Sequence, residues 1–474
     1  MTEQKLALLA CGVLLGVGAC HAQNLLPTGA TELTEVVRAS VIRDVENAHK
    51  ASFDGFLKSQ SISLAAARAS IQPDLTAEKF EALRRSHEHF YRSLKVRTTV
   101  WLAIPQSTSV VAYDCIAKRA QAAAATVKVE EAPPADPYSI RASAPKPAVK
   151  RGAQARDCPL GWIALKRNTL AEVIASPSAK PMVNPGIDRD ALRVLLGRGK
   201  SLAPRAPYLH RYAHALAQVP NFGVHSRLNV WSPRVIDGDM SLSQVWIVAG
   251  DPDNNSLQTL EAGWQVMSLW ASPFSALFIY STSDNYNATG CYVTKCGVES
   301  PPRPETFFIT TNKAIVGSPI ASQSQSGGNQ AETDVRWIRS GTGNWWLKVD
   351  GEWVGYYPAQ NFADGAMANG AAFIDFGGEA TGFLPTSEMG SGFFASTGKG
   401  QAAYQSHIEY IDASGAAASP SLQGMTTDPC YTISLTGTPT PDDAPGTYFY
   451  FGGPGNRHFG IPPPADESSS CIGG

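Results

Sequence analysis

The sequence predicts a mainly β protein, an antiparallel β-sandwich over its second half preceded by a smaller α+β domain. Beyond His210, short runs with apolar alternation recur between Gly, Asn, Asp and Pro punctuation, the pattern of paired strands and turns. Composition leans the same way: 42 glycines, 33 prolines and 9% aromatic residues suit strands and turns better than helix bundles. Ahead of this, Glu32–Leu94 is helical in pattern, with Phe80, Leu83, His87 and Phe90 recurring at three-to-four spacing. At 474 residues the chain has room for two or three domains, each with a core.

The elements follow in order. LALLACGVLLGVGAC has the length of a signal-peptide apolar region and is too short to span a bilayer. Residues 1–22 are therefore expected to be an export signal cleaved after Ala22. The alternative is a lipid anchor at Cys20, because Val17-Gly18-Ala19-Cys20 is a passable lipobox. No later apolar run is long enough for a transmembrane helix, so a secreted chain is expected. Residues 23–205 form the front domain: the helices, a strand in TTVWLAI (98–104), an Ala/Pro-rich stretch at 116–156 that reads as a flexible linker, a strand in DCPLGWIALKR and a helical turn in TLAEVIA. Residues 206–474 supply the sandwich, including SLSQVWIVAG, LEAGWQVM, NWWLKVDGEWVGYYP and AAFIDFGGE. Asp350-Gly351 is a hairpin turn between aromatic strands.

Six cysteines lie outside the signal: 115, 158, 291, 296, 430 and 471. An even number in an exported chain points to disulfides. Cys291 and Cys296 are close enough to clip a hairpin, and Cys430 with Cys471 and Cys115 with Cys158 are the simplest remaining pairs, among fifteen connectivities in all. No paired Cys/His knuckle argues for zinc.

Charge divides with the domains. Residues 1–205 carry 28 Lys+Arg against 18 Asp+Glu, a net of +10, and residues 206–474 carry 11 against 23, a net of −12. Two parts that associate electrostatically fit this split. A nucleic-acid partner does not, since the basic residues are spread through an exported linker.

Several motifs fail on spacing. GFFASTGKG (392–400) has one residue too many for a phosphate loop and lacks its Ser/Thr. His210 and His214 have a helical metal-pair spacing but no intervening Glu, in surroundings that read as strand. No G-x-S-x-G elbow occurs. Carboxylates on strands remain. Glu261 in LEAGWQV shares a face with Gly263 and Gln265, and Glu379 in FIDFGGEA shares one with Phe373, Asp375 and Gly377. Glycine beside each lets a ligand backbone come close. If their strands neighbour each other in one sheet, burial and like-charge repulsion push the two pKa values apart. One carboxylate then takes a proton from water while the other, protonated, serves the scissile group.

SLSQVWIV, TLEAGWQV, STSDNYNATGCYVTKC, NWWLKV, VGYYP, FGGE and EMGSGFF, in this order, resemble the neprosin family of secreted glutamic peptidases. DCPLGWIALKR resembles a stretch of that family's activation domain, with Trp162 and Ala164 where the family has Thr and Pro. The resemblance implies that Glu261 and Glu379 are the catalytic pair on a concave sheet face. It also implies an acidic optimum, no metal or other cofactor, cleavage after proline in protein or peptide substrates, and a pro-domain that inhibits in cis and is removed at low pH. On this reading Glu379 is the base and Glu261 the acid or oxyanion partner. Gln244 and Gln265 are candidate polar supports, and Trp246, Tyr280 and Trp346 candidate walls for an apolar residue; Trp264 and Trp345 should face the core. The basic front domain is expected to cover the acidic groove at neutral pH and to be released by acid. Two rival readings are a carbohydrate-binding sandwich, whose tryptophans stack on sugar rings, and a two-carboxylate glycosidase.

Overall fold

The computed structural model describes residues 62–70, 74–103, 110–121, 132–138, 157–174, 209–236, 239–267, 274–287, 307–320, 322–363, 365–382, 387–435 and 447–455. The expected signal, Cys291, Cys296 and Cys471 lie outside these residues.

The front part is built from α1 (Leu64–Ser70), α2 (Ala77–Ser93), β1 (Val96–Ala103), β2 (Val110–Ala117), β3 (Trp162–Lys166) and α3 (Leu170–Ile174). Thr76 caps α2 by accepting from the Lys79 backbone N–H, which satisfies one of the donors a helix start leaves open. Phe80, Leu83, His87 and Tyr91 face inward and pack with Leu170, Val173 and Ile174. The strands form one antiparallel sheet in the order β1-β2-β3, closed by the Cys115–Cys158 disulfide. Cys430 is also disulfide-bonded.

The larger part is a sandwich. Its strands are β4 (Leu209–Asn221), β5 (Gly223–Asn229), β6 (Met240–Ala249), β7 (Gln258–Met267), β8 (Ala276–Thr282), β9 (Phe308–Ile309), β10 (Glu332–Arg339), β11 (Trp345–Val349) and β12 (Glu352–Tyr357), followed by β13 (Ala371–Gly382), β14 (Ala403–Ile411), β15 (Ala417–Ala418), β16 (Gln423–Thr426), β17 (Thr432–Ser434) and β18 (Phe449–Gly452). One sheet runs β16-β4-β13-β6-β7-β8; the other runs β17-β18-β14-β5-β10-β11-β12-β9, with β15 beside β14. All pairings between their described strands are antiparallel.

Alternation decides which side chains fill the space between the sheets. Trp264 and Trp345 are fully buried in the main core with Trp337, Leu347, Ile374 and Phe376, as their places in the alternation require. The Trp264 indole N–H donates to the Asn229 carbonyl at 2.9 Å, so this ring spans from the first sheet to the second. Gln405, also fully buried, donates to the Ser243 hydroxyl and the Gln244 carbonyl, each at 3.0 Å, and pins the sheets at a second point. The Asp350-Gly351 turn has φ of 48° and 82°, both positive as a two-residue hairpin of this twist requires.

The longest described strand, β4, lies in HRYAHALAQVPN, where Ala213, Ala215 and Ala217 take the core face. One expectation needs correction. Within 116–156, residues 132–138 are not free chain: Tyr138 is buried and Asp136 is salt-bridged to the second sheet. Composition averages away the one acid and one ring that dock this stretch.

The front part meets the sandwich around β9 and the segment after it. The Tyr113 hydroxyl donates to the Val316 carbonyl at 3.1 Å. Gln121 exchanges two hydrogen bonds with the Ile309 backbone. Asn312 does the same with the Cys158 backbone.

Candidate active site

Glu261 and Glu379 stand on the same sheet, on the face turned away from the second sheet. Their strands are not adjacent, however, since β6 lies between β13 and β7. The register makes this face a lattice of rows running across the strands. One row reads Tyr212, Glu379, Leu242, Gln265 and Ala276 from β4 to β8; the next reads His214, Gly377, Gln244, Gly263 and Phe278; the third reads Leu216, Asp375, Trp246, Glu261 and Tyr280. The glutamates thus flank the middle row on opposite sides, and its central positions are Gly377, Gln244 and Gly263. Four residues along β6 and two strand spacings across give roughly 16 Å between their Cα atoms in a flat sheet. That exceeds the reach of two glutamate side chains, so the carboxyls do not share a proton directly; the space between them holds Gln244.

The two carboxylates have different surroundings. Glu261 is 4% exposed. It accepts from the Tyr286 hydroxyl at 2.7 Å, the Thr259 hydroxyl at 2.9 Å and the Gln244 amide at 3.3 Å. Burial raises its pKa to about 7; the Tyr286 bond opposes the rise and the negative charge of Glu379 adds to it. Desolvation therefore outweighs three donors, and the group holds its proton through the acid range. Glu379 is 1% exposed and pairs with His210 Nδ1. A second histidine–carboxylate pair stands beside it: His214 Nδ1 lies 2.6 Å from Asp375, and its ring stacks on Trp246, centroids 4.9 Å apart.

The other residues singled out from the sequence are placed as follows. Gln244 touches Glu261 and Trp246 is its cross-strand neighbour on β6. Tyr280 is its neighbour on β8 and stacks with Tyr286, which covers the carboxyl. Gln265 shares the row of Glu379 and donates to the Met240 sulfur. Trp346 is not brought to the site. It belongs to β11 on the other sheet and packs with Phe308, Tyr356 and Trp353; alternation separates it from Trp345 but does not reveal which sheet its strand joins. His210 and His214, on one face of a strand, each go to a carboxylate and do not converge. The 392–400 loop carries a single 3-10 turn, Ala395–Thr397.

Glycine has another reason here than the one inferred from the sequence. A Cβ on Gly263 would lie 2.0 Å from the Ser243 carbonyl oxygen, and one on Gly377, at φ 145°, would lie 2.2 Å from that of Ala213. The neighbouring strands themselves demand glycine at both positions. The open middle row follows from that demand.

Sequence reasoning missed Tyr286, Thr259 and the histidine pairings. Thr259 was within reach, being two residues before Glu261 and so on its face. Tyr286 was not: it arrives from a loop, held at φ 59° by a bond from its backbone N–H to the Thr282 hydroxyl.

A β-sandwich with two buried, unlike carboxylates on one sheet face defines the class. Residues 237–454 match the family model described as Neprosin, and the chain carries a neprosin-family domain over this stretch. Among solved structures, it is similar to scytalido-glutamic peptidase with a peptide-based transition-state analogue, at 11% identity over 52% of this chain and 98% of that one, TM-score 0.30. SCP-B, a member of the eqolisin family of peptidases in complex with the tripeptide Ala-Ile-His, is similar at 11% identity over 52% and 98%, TM-score 0.29. A β-porphyranase from the human gut bacterium Bacteroides plebeius is similar at 8% identity over 38% and 66%, TM-score 0.19.

Proposed function

We propose that this chain is a secreted, acid-active glutamic endopeptidase made as a self-processing zymogen, with Glu261 and Glu379 as its catalytic residues. The observation that carries the reading is the unlike pair: a glutamate that keeps its proton up to about pH 7 across an open row from one paired with a histidine. The neprosin-family domain supports peptide-bond hydrolysis as the reaction.

In the mechanism, Glu379 acts as general base and takes a proton from a water molecule as its oxygen attacks the scissile carbonyl carbon. Protonated Glu261 donates a hydrogen bond to the carbonyl oxygen as it becomes an oxyanion. The tetrahedral centre then collapses, the C–N bond breaks, and Glu379 passes its proton to the leaving nitrogen. His210 holds Glu379 in place. Gln244 lies along the row between the carboxyls, where its buried Oε1, which has no hydrogen-bond partner among the described residues, can accept from a substrate N–H. Trp246 and Tyr280 wall the Glu261 side. Cleavage after proline is the preference that the family resemblance suggests.

Residues 1–22 act as the export signal on this reading, and the Cys115–Cys158 bond supports an oxidising compartment. The front residues 23–205 act as the inhibitory pro-domain and are removed by a cut between Ala175 and Tyr208.

Incubation of the purified chain with a denatured, proline-containing protein at about pH 4, with cut sites read by mass, tests the proposal. Cuts after proline that persist in chelator and serine-protease inhibitor are expected, as is loss of activity in both Glu261→Gln and Glu379→Gln. Full activity in either variant would remove the pair from catalysis.

A further inference from the structure

The outer face of the second sheet holds a feature that peptide hydrolysis does not use. On it Arg336 and Lys348 stand directly opposite each other on β10 and β11, and His225 is the partner of Arg336 on β5. Cations facing each other across a ladder repel. Arg336 and His225 are balanced by Asp334, at 2.6 Å and 2.8 Å. The carboxylate that Lys348 meets among the described residues is Asp136, which comes from the front part: Asp136 Oδ2 lies 2.9 Å from both Lys348 Nζ and Arg336 Nη1.

Two residues on, Tyr138 fills a hole in the same face. It is 2% exposed, its hydroxyl donates to the Trp337 carbonyl at 3.1 Å, and its ring packs with Ile338 and Ile411. Asp136 Oδ1 accepts from the Tyr138 backbone N–H at 3.1 Å, so acid and ring are held as one unit. Pro133, Pro134 and Pro137 restrict this stretch before it docks, which lowers the entropy lost on binding. The front part owns the segment covalently. Cys115 and Cys158, joined with Cα atoms 5.5 Å apart, close the loop that carries it, so one cut in that loop leaves both of its arms attached to the front sheet.

We infer that this face is a two-point recognition site for a short acidic–aromatic segment, filled by residues 132–138, and that it retains the front part on the sandwich after the chain between Ala175 and Tyr208 is cut. The inference rests on the zymogen reading for its biological use, but binding tests it without catalysis. Maturation then has two stages, cutting and release, and the second is governed at a surface on the opposite sheet from the glutamates.

The test uses the full chain bearing Glu379→Gln, with a site for a sequence-specific protease introduced between residues 175 and 208. After cutting at neutral pH, dissociation of the two fragments is followed by interferometry. The parent fragments should remain together, and the double variant Asp136→Ala/Tyr138→Ala should release at least about tenfold faster. A peptide spanning residues 131–139, added to the cut parent, should speed release, and the same peptide with Tyr138→Ala should not. A thermal melt before cutting that matches the parent shows that the double variant is folded. Equal release rates for parent and double variant, or no effect of the peptide, would overturn the inference. Failure of the zymogen reading shows separately, as an unaltered chain that does not convert in acid.

Discussion

Replacing Glu261 by Gln should stabilise the protein in neutral solution and leave it nearly unchanged in acid. Burial is the chief reason that this carboxyl titrates at about 7 in place of its ordinary 4.5. Its folded value is the raised one, so the folded chain keeps a proton that the unfolded chain gives up across this interval. The associated stability is complete below pH 4.5 and is lost as pH rises through about 7. At about 1.4 kcal/mol per pH unit, the loss amounts to about 3 kcal/mol. Gln keeps the shape, carries no charge, and its carbonyl oxygen can accept from Tyr286 and Thr259. Urea unfolding followed by tryptophan fluorescence, from about pH 4 to about pH 8, measures the difference between Glu and Gln at position 261. Both proteins should carry Glu379→Gln to prevent self-digestion; this removes the Coulomb contribution and leaves burial, the larger one. The difference should be near zero in acid and approach about 2–3 kcal/mol at the alkaline end. A difference constant with pH, or one that grows towards acid, would show that the carboxyl is ionised in the fold and would refute the assignment of Glu261 as a proton-bearing group.

Other outcomes follow from the same contacts. Tyr286→Phe removes the bond that holds the Glu261 pKa down, so the alkaline limb of the pH–rate profile should move to higher pH. His210→Ala should lower kcat by about 10- to 100-fold, the worth of one charge-assisted hydrogen bond, with partial recovery in His210→Gln and little change in KM. Trp246→Ala should impair peptide turnover, whereas Trp346→Ala, on the other sheet, should lower the melting temperature and leave KM for a peptide unchanged. Trp264→Ala removes the ring that spans the sheets and should cost about 3–5 kcal/mol in urea unfolding.

Much of this architecture is legible in the sequence because alternation is a local signal. LEAGWQV assigns Trp264 to the core and Glu261 to the other face from spacing alone, and Asp350-Gly351 announces its hairpin by residue type. Pairing between distant strands is not local. Nothing near Glu379 tells that β6 intervenes before β7, and nothing near Trp346 tells that its strand joins the second sheet. The histidine pairings illustrate the same limit: HRYAH suggests a metal site only until β4 is laid beside β13, where each ring finds a carboxylate. Asp136 and Tyr138 escape notice because an Ala/Pro-rich context describes the average of a stretch and not its two exceptional residues.

β4 begins at Leu209, and its second residue is the histidine that meets Glu379. Along this strand the ladder to β13 runs unbroken from Leu209↔Gly382 to Ile374↔Ala217. The first residues of the strand are therefore both the hem of the sheet and part of the proposed reactive centre. Any trimming enzyme that nibbles the new amino terminus has a fixed stopping point: removing one residue past Leu209 discards His210. On the proposed zymogen reading, a processed chain tolerates a ragged start upstream of this strand and none within it, and amino-terminal sequencing of active material should find heterogeneity on one side of Leu209 alone.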